Sequence, residues 1–267
     1  MSPDVTAMDW SVLGPAFAAG LLVLATHVPL GIEVLRRGII FIDLAIAQIA
    51  ALGVISANLL GWEGDSVAVQ VCAALAALAG ALLLTLAERL WPEMLEALIG
   101  LSFVLAASLG ILLLAGNPHG GEHLKDLLAG QILWVSPRQL IVAAVVAAVV
   151  LVLWFGRGAR LGRGGFYLLF SITVTISVQL VGVYLVFASL IAPAVATRGV
   201  DSGVARWRRL AGGYAVGAAG YAVGLILSAL FDLPSGAAIV CAMCALALAA
   251  IVLGSRGSLK YAATGRE

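Results

Sequence analysis

Apolar residues dominate the chain in runs too long for a soluble core. A bilayer-spanning helix needs about 20 mostly apolar residues. Nine such stretches can be marked, at roughly 11–30, 38–60, 66–87, 96–116, 139–156, 165–180, 181–197, 210–231 and 235–254. Polar and charged residues fall mainly between them. The pattern predicts an all-α, polytopic membrane protein of about nine transmembrane helices. The sixth and seventh stretches are nearly continuous, so they predict either one broken helix or two that meet at a corner. No Lys or Arg precedes Arg36, so the first stretch lacks the basic region of a signal peptide and is expected to remain as a helix.

Composition agrees. Hydrophobic residues are 63% of the 267 and charged residues 11%, against about 45–50% and about 25% in soluble domains. No long polar tail or linker leaves room for a second domain, so residues 1–267 are expected to form one membrane domain. Lys and Arg number 15 and Asp and Glu 14, which leaves no basic footprint for nucleic acid. Aromatic content of 7% and little alternation exclude a β-barrel pattern.

The charges set the expected orientation. One set of alternate loops holds thirteen Lys/Arg, from Arg36 and Arg37 to Lys260 and Arg266, and the other only Lys125 and Arg138. Positively charged loops stay in the cytoplasm, so the N-terminus is expected outside and the C-terminus inside. Merging the sixth and seventh helices would break this alternation.

A charge within a span costs roughly 2.5–3.5 kcal/mol on insertion scales. Asp43 is the clearest case: either a solute site facing the bundle interior or a partner for Arg36 or Arg37. His27 is expected near the inner end of the first span at a depth similar to Asp43, as a ligand or a hydrogen-bonded core residue. Gln48, Gln70 and Gln179 suit helix–helix hydrogen bonds or a pathway lining. The outer loop Asn117–His123 carries His119, Glu122 and His123, which suit metal capture at an outer mouth or simple solvation. They also spell H-x-x-E-H, but Gly120 and Gly121 oppose the helix that a zinc protease needs. Cys241 and Cys244 form a C-x-x-C without a second pair, and with Cys72 they read as small core residues. Gly213-x-x-x-Gly217 and Gly220-x-x-x-Gly224 mark close helix packing. No G-x-x-x-x-G-K-[ST] loop occurs, so any ATP used must be bound by another chain.

Several segments, in order, resemble the permease subunit of the ABC-3 family, the membrane subunits of bacterial zinc, manganese and iron importers. They are 34–41 (VLRRGIIF), 96–100 (EALIG), 127–135 (LLAGQILWV), 181–194 (VGVYLVFASLIAPA), 224–228 (GLILS) and 232–240 (DLPSGAAIV). The resemblance implies a bacterial inner-membrane permease, not itself an ATPase, that imports a divalent transition metal as a homodimer. It implies a cytoplasmic ATP-binding subunit and an extracytoplasmic metal-binding protein as partners. The related alternatives are a permease for another solute or a metal chelate, and a non-transporting membrane scaffold that keeps the fold.

Two departures stand out. The family's second helix reads F-x-G-D-A-L-S-H-A-x-L-P-G, with the Asp and His as ligands. Here Leu44 stands in place of that Asp and Gln48 in place of that His. Asp43 and Gln48 are five apart and point about 140° from each other, so the metal set implied is Asp43 with a group from another helix, first His27. The family's acidic coupling helix is replaced by the basic, glycine-rich 157–165, so docking on an ATPase would fall to Arg157, Arg160 and Arg163. Labels placed at Glu63 and Glu122 should react from outside and those at Arg160 and Arg206 only from inside; any reversal overturns the nine-helix map.

Overall fold

The computed structural model describes residues 10–62, 66–115, 121, 128, 130–157, 162–198 and 206–264. They form nine α-helices: α1 Trp10–Arg37, α2 Ile42–Leu59, α3 Val67–Leu90, α4 Leu95–Leu114, α5 Pro137–Arg157, α6 Gly162–Val181, α7 Val183–Ala196, α8 Arg206–Phe231 and α9 Ser235–Thr264. Short 3₁₀ turns lie at Pro92–Met94 and Ile132–Trp134, and no strand occurs among the described residues. Eight of the helices are long and apolar enough to cross a membrane. The ninth, α7, has 14 residues, or about 21 Å of rise, short of a bilayer core of about 30 Å.

The corner between α6 and α7 reverses the chain. Arg37, at the end of α1, lies over the Phe166 ring, 4.2 Å from its centroid. At the other end of α6, Leu180 shares a cavity wall with Leu22. So α6 runs antiparallel to α1. Helix α7 runs the other way. Its Ser189 hydroxyl bonds the Tyr221 hydroxyl, whose ring lies on Gly20, and further on Leu190 and Ala194 abut Gly31. The pivot is Gly182, at φ 81° and ψ 163°, a backbone state open to little but glycine. Its N–H closes α6 on the Val178 carbonyl at 2.8 Å, and its carbonyl accepts the Val186 N–H at 3.1 Å to open α7. No loop is needed, which is why the sequence there reads as unbroken.

The reversal preserves the alternation of the charge map. Arg36, Arg37, Glu88, Arg163 and the start of α8 gather at one end of the bundle. Helix α8 runs antiparallel to α1, with Gly213 against Val28 and Gly217 against Leu24. Its second glycine pair faces α9 instead, where Gly220 meets Met243 and Gly224 meets Ile239. Both G-x-x-x-G motifs thus pack within the subunit. The cysteine expectation fails in part: Cys241 and Cys244 are exposed on α9 and Cys72 is half-buried.

A proline explains one polar contact. Pro29 lies inside α1 and has no N–H, so the Ala25 carbonyl one turn back loses its helical donor. The Tyr214 hydroxyl of α8 donates to that carbonyl at 2.9 Å. In a bilayer no water replaces a missing donor. Tyr214→Phe should therefore lower stability by about 1 kcal/mol in thermal unfolding of the purified protein. In a Pro29→Ala background, where the N–H returns, the same change should cost distinctly less.

Candidate functional site

The first helix runs to Arg37, one to two turns beyond the end that hydropathy suggests, and so carries Glu33, Arg36 and Arg37. Gly38, at φ 73°, turns the chain, and α2 begins at Ile42 without a side-chain cap. The Phe41 N–H meets Glu96 Oε1 at 3.4 Å, which ties this turn to the start of α4. Asp43 is thus the second residue of α2. Its side chain is fully buried, and neither carboxylate oxygen has a hydrogen-bond partner. The N-terminal turn of a helix favours an anion, but by well under the desolvation cost of a carboxylate without hydrogen bonds.

The arginines do not serve Asp43. Both reach Glu33. Arg36 makes two bonds to it, Nε to Oε2 at 2.8 Å and Nη2 to Oε1 at 2.6 Å. Arg37 Nε bonds Oε1 at 2.7 Å. The expected Asp43–Arg partnership is replaced by an i, i+3 and i, i+4 pair on one helix, closer in sequence and free of any turn. Glu33 was not singled out from the sequence, although its spacing to the two arginines was a readable signal. Its Arg37 branch matters most, because that guanidinium is mostly covered and also stacks on Phe166. Arg36 is largely in solvent, where an ion pair is worth little.

His27 is also fully buried. Its Nδ1 lies 2.9 Å from the Val23 carbonyl and 3.2 Å from Thr26 Oγ1. A carbonyl can only accept, so the hydrogen belongs on Nδ1, and Nε2 presents a lone pair. That atom has no partner. His27 and Asp43 are not at similar depth, however. His27 stands ten positions before Arg37 in α1, a rise of about 15 Å. Apolar stretches underestimate α1 because Glu33 hides its charge by pairing. Gln48 is nearly buried, five residues above Asp43. Among the described residues no three His, Cys, Asp or Glu side chains gather closely enough to share a metal ion.

The remaining candidates divide. His119, Glu122, His123 and Arg160 lie outside the described residues, as does the side chain of Arg157, the last residue of α5. Arg163 is described: its Nε stands 3.4 Å from Glu88 Oε1 on α3. Of the glycine-rich 157–165, residues 162–165 make the first turn of α6. That turn is largely exposed, and burial of Phe166 and Tyr167 just after it offsets a propensity penalty of about 1 kcal/mol per glycine. Gln70 and Gln179 line a cavity with Arg138 and Gln139, at the end of α3 and α6 opposite Glu88 and Arg163.

Among the described residues the chain is an all-helical bundle with eight helices able to cross a membrane, and it buries a carboxylate and an imidazole nitrogen without partners. The sequence profile of the ABC 3 transport family matches residues 9–161 and 158–254, and the chain belongs to that family. The "Probable iron transport system membrane protein" of Haemophilus influenzae is 30% identical over 142 residues. That match covers 45% of this chain and 50% of the relative, so it spans about half of the relative's length. The structure of PsaBC from Streptococcus pneumoniae in complex with Fab shares the fold, with a TM-score of 0.73 at 20% identity over 90% of each chain.

The two buried carboxylates should respond oppositely to loss of charge. Glu33→Gln strips both arginines of their shared acceptor and should destabilise by about 1–3 kcal/mol. Asp43→Asn removes a charge without protein partners and should leave thermal stability unchanged or raised. A clear drop for Asp43→Asn would show that the carboxylate has a structural partner.

Proposed function

We propose that this chain is the membrane permease subunit of an ATP-driven importer for a divalent transition-metal ion, zinc, manganese or iron, in the bacterial inner membrane. It works as a homodimer with a cytoplasmic ATP-binding subunit and an extracytoplasmic metal-binding protein. Asp43 is the group that meets the ion. The observation that carries this is a fully buried carboxylate with both oxygens unpartnered, in a chain of the ABC 3 transport family. The iron-transport name of the Haemophilus influenzae relative supports a metal cargo.

The mechanism uses few polar groups. An apolar bundle gives a hydrated cation nowhere to rest except at a fixed anion. Asp43, held by α2 between α3 and α4, supplies that anion next to the turn joining α1 and α2. Gln48 and the Nε2 lone pair of His27 lie further along the bundle as neutral polar points. ATP-driven closure of the partner subunits would tilt the helices around Asp43 and open the site first to one side and then to the other. Arg157, Arg160 and Arg163 face the ATP-binding subunit in this reading, with Arg163 occupied in part by Glu88. His119, Glu122 and His123 would receive the ion at the outer mouth.

A second reading is favoured by one observation. Leu44 and Gln48 occupy the positions of the family's ligand pair, and no cluster of three ligating side chains forms among the described residues. A chelated metal or another solute would need fewer protein ligands. A scaffold that keeps the fold would move nothing.

Growth and radiometal uptake of a deletion strain, scanned over zinc, manganese and iron, separate these readings. The importer predicts a growth defect relieved by one of the three. Asp43→Asn protein, made at normal level, should then fall to the deletion strain's uptake, and adding His27→Gln should lower it no further. Normal uptake by Asp43→Asn protein would remove Asp43 as a required ligand and shift the site to His119 and His123. A defect relieved only by a chelate supports the second reading, and no defect supports the scaffold.

A further inference from the structure

Very little holds Asp43 in place. Neither of its oxygens has a partner, so no hydrogen bond orients the side chain. Its place is set by the backbone of the first turn of α2, and that turn is weakly closed. Its N-cap, Phe41, offers no side-chain bond. A helix start is often closed by a Glu or Gln three residues after the N-cap, which reaches back to the N-cap N–H. In α2 that position is Leu44, which has no acceptor to give.

Glu96 supplies the missing acceptor from another helix. It is the second residue of α4, and its Oε1 accepts the Phe41 N–H at 3.4 Å. Among the described residues this is the only side-chain hydrogen bond that reaches residues 38–46. A carboxylate at a helix start also meets the positive end of the helix dipole. The second oxygen, Oε2, is buried without a hydrogen-bond partner, and Glu96 makes no ion pair among the described residues.

The packing of α4 explains why one bond matters. Leu95, Ile99, Ala106, Gly110 and Leu114 are its buried residues, a single thin stripe. Gly110 receives Ile55 near the far end of α2. Apolar contact in lipid fixes the register of two helices poorly, because the lipid tails offer the same surroundings. A directional bond at the end opposite Gly110 fixes it. We propose that Glu96 is a positioning residue for the transport site: it closes the start of α2 from α4 and so sets where the Asp43 carboxylate stands. This rests on the reading of Asp43 as the group that meets the ion.

The test measures uptake of radioactive zinc, manganese and iron by a deletion strain carrying full-length variants, expressed per assembled transporter. Amide hydrogen exchange is followed on the purified proteins. Glu96→Ala removes the acceptor, and uptake should fall about tenfold, as when a residue supporting a metal ligand is lost. The amides of 41–46 should exchange about fivefold faster, the effect of one hydrogen bond. The melting temperature should barely move, because the bond is long and lies at an exposed point. Glu96→Gln keeps an acceptor oxygen and should return uptake and exchange to within about twofold of wild type. Normal uptake or unchanged exchange in Glu96→Ala protein would overturn the inference. So would a Gln variant as poor as the Ala one, since the charge and not the bond would then matter. A loss of uptake that tracks a lower melting temperature would overturn it in favour of a purely structural role. Asp43→Asn, run alongside, separates the two layers. If that variant still takes up metal, the reading of Asp43 falls and the positioning role with it. If it does not, while Glu96→Ala does so normally, only the positioning role falls.

Discussion

Helices in lipid gain little from hiding apolar surface from one another, because the surrounding tails are equally apolar. Close approach is what remains, and this bundle depends on it. Gly20 and Gly31 on α1, and Gly213, Gly217, Gly220 and Gly224 on α8, each leave a hole into which a neighbouring helix fits. Gly31 takes the Leu190 carbonyl and Gly224 takes the backbone of Ile239. Helix α8 becomes the spine that joins α1 on one side to α9 on the other. Short α7 completes the contact through Ser189, whose hydroxyl meets Tyr221 where that ring lies on Gly20.

Polar groups in such a bundle are few, and most are answered locally. Hydroxyls of Thr85, Thr173, Thr175 and Ser189 donate to carbonyls one turn back in their own helices. Glu33 answers Arg36 and Arg37 within two turns of α1. The carbonyl freed by Pro29 is answered by Tyr214 from α8. Against that background a few groups among the described residues stand unmet, and of these the Asp43 carboxylate and the His27 Nε2 belong to fully buried side chains. Each is buried at a cost that the fold itself does not repay, which is the physical reason to look for a ligand there.

The helix count and sites were legible in the sequence to different degrees. Eight long helices follow directly from apolar runs, and the ninth was visible only because the Lys/Arg alternation required a reversal between 180 and 183. Hydropathy ended α1 too early, since it cannot know that Glu33 and Arg37 neutralise each other inside the helix. That error put His27 at a depth similar to Asp43. The burial of Asp43 was anticipated from its apolar surroundings, but its missing partner was not. Arg36 and Arg37 lie close in sequence and only the folded chain shows them turned to Glu33.

Composition and spacing by themselves determined that this chain is a bundle of membrane helices, which end of it is basic, and that Asp43 sits among apolar neighbours. These are local properties, set by side-chain transfer energies and by the periodicity of a helix. Tertiary structure decided which helices touch at the glycines, where the chain turns at Gly182, and which polar atoms are left without partners. Those depend on residues far apart in sequence meeting at close range. The contact of Arg163 with Glu88 requires α6 and α3 to lie side by side, and no stretch of either helix read alone carries that information.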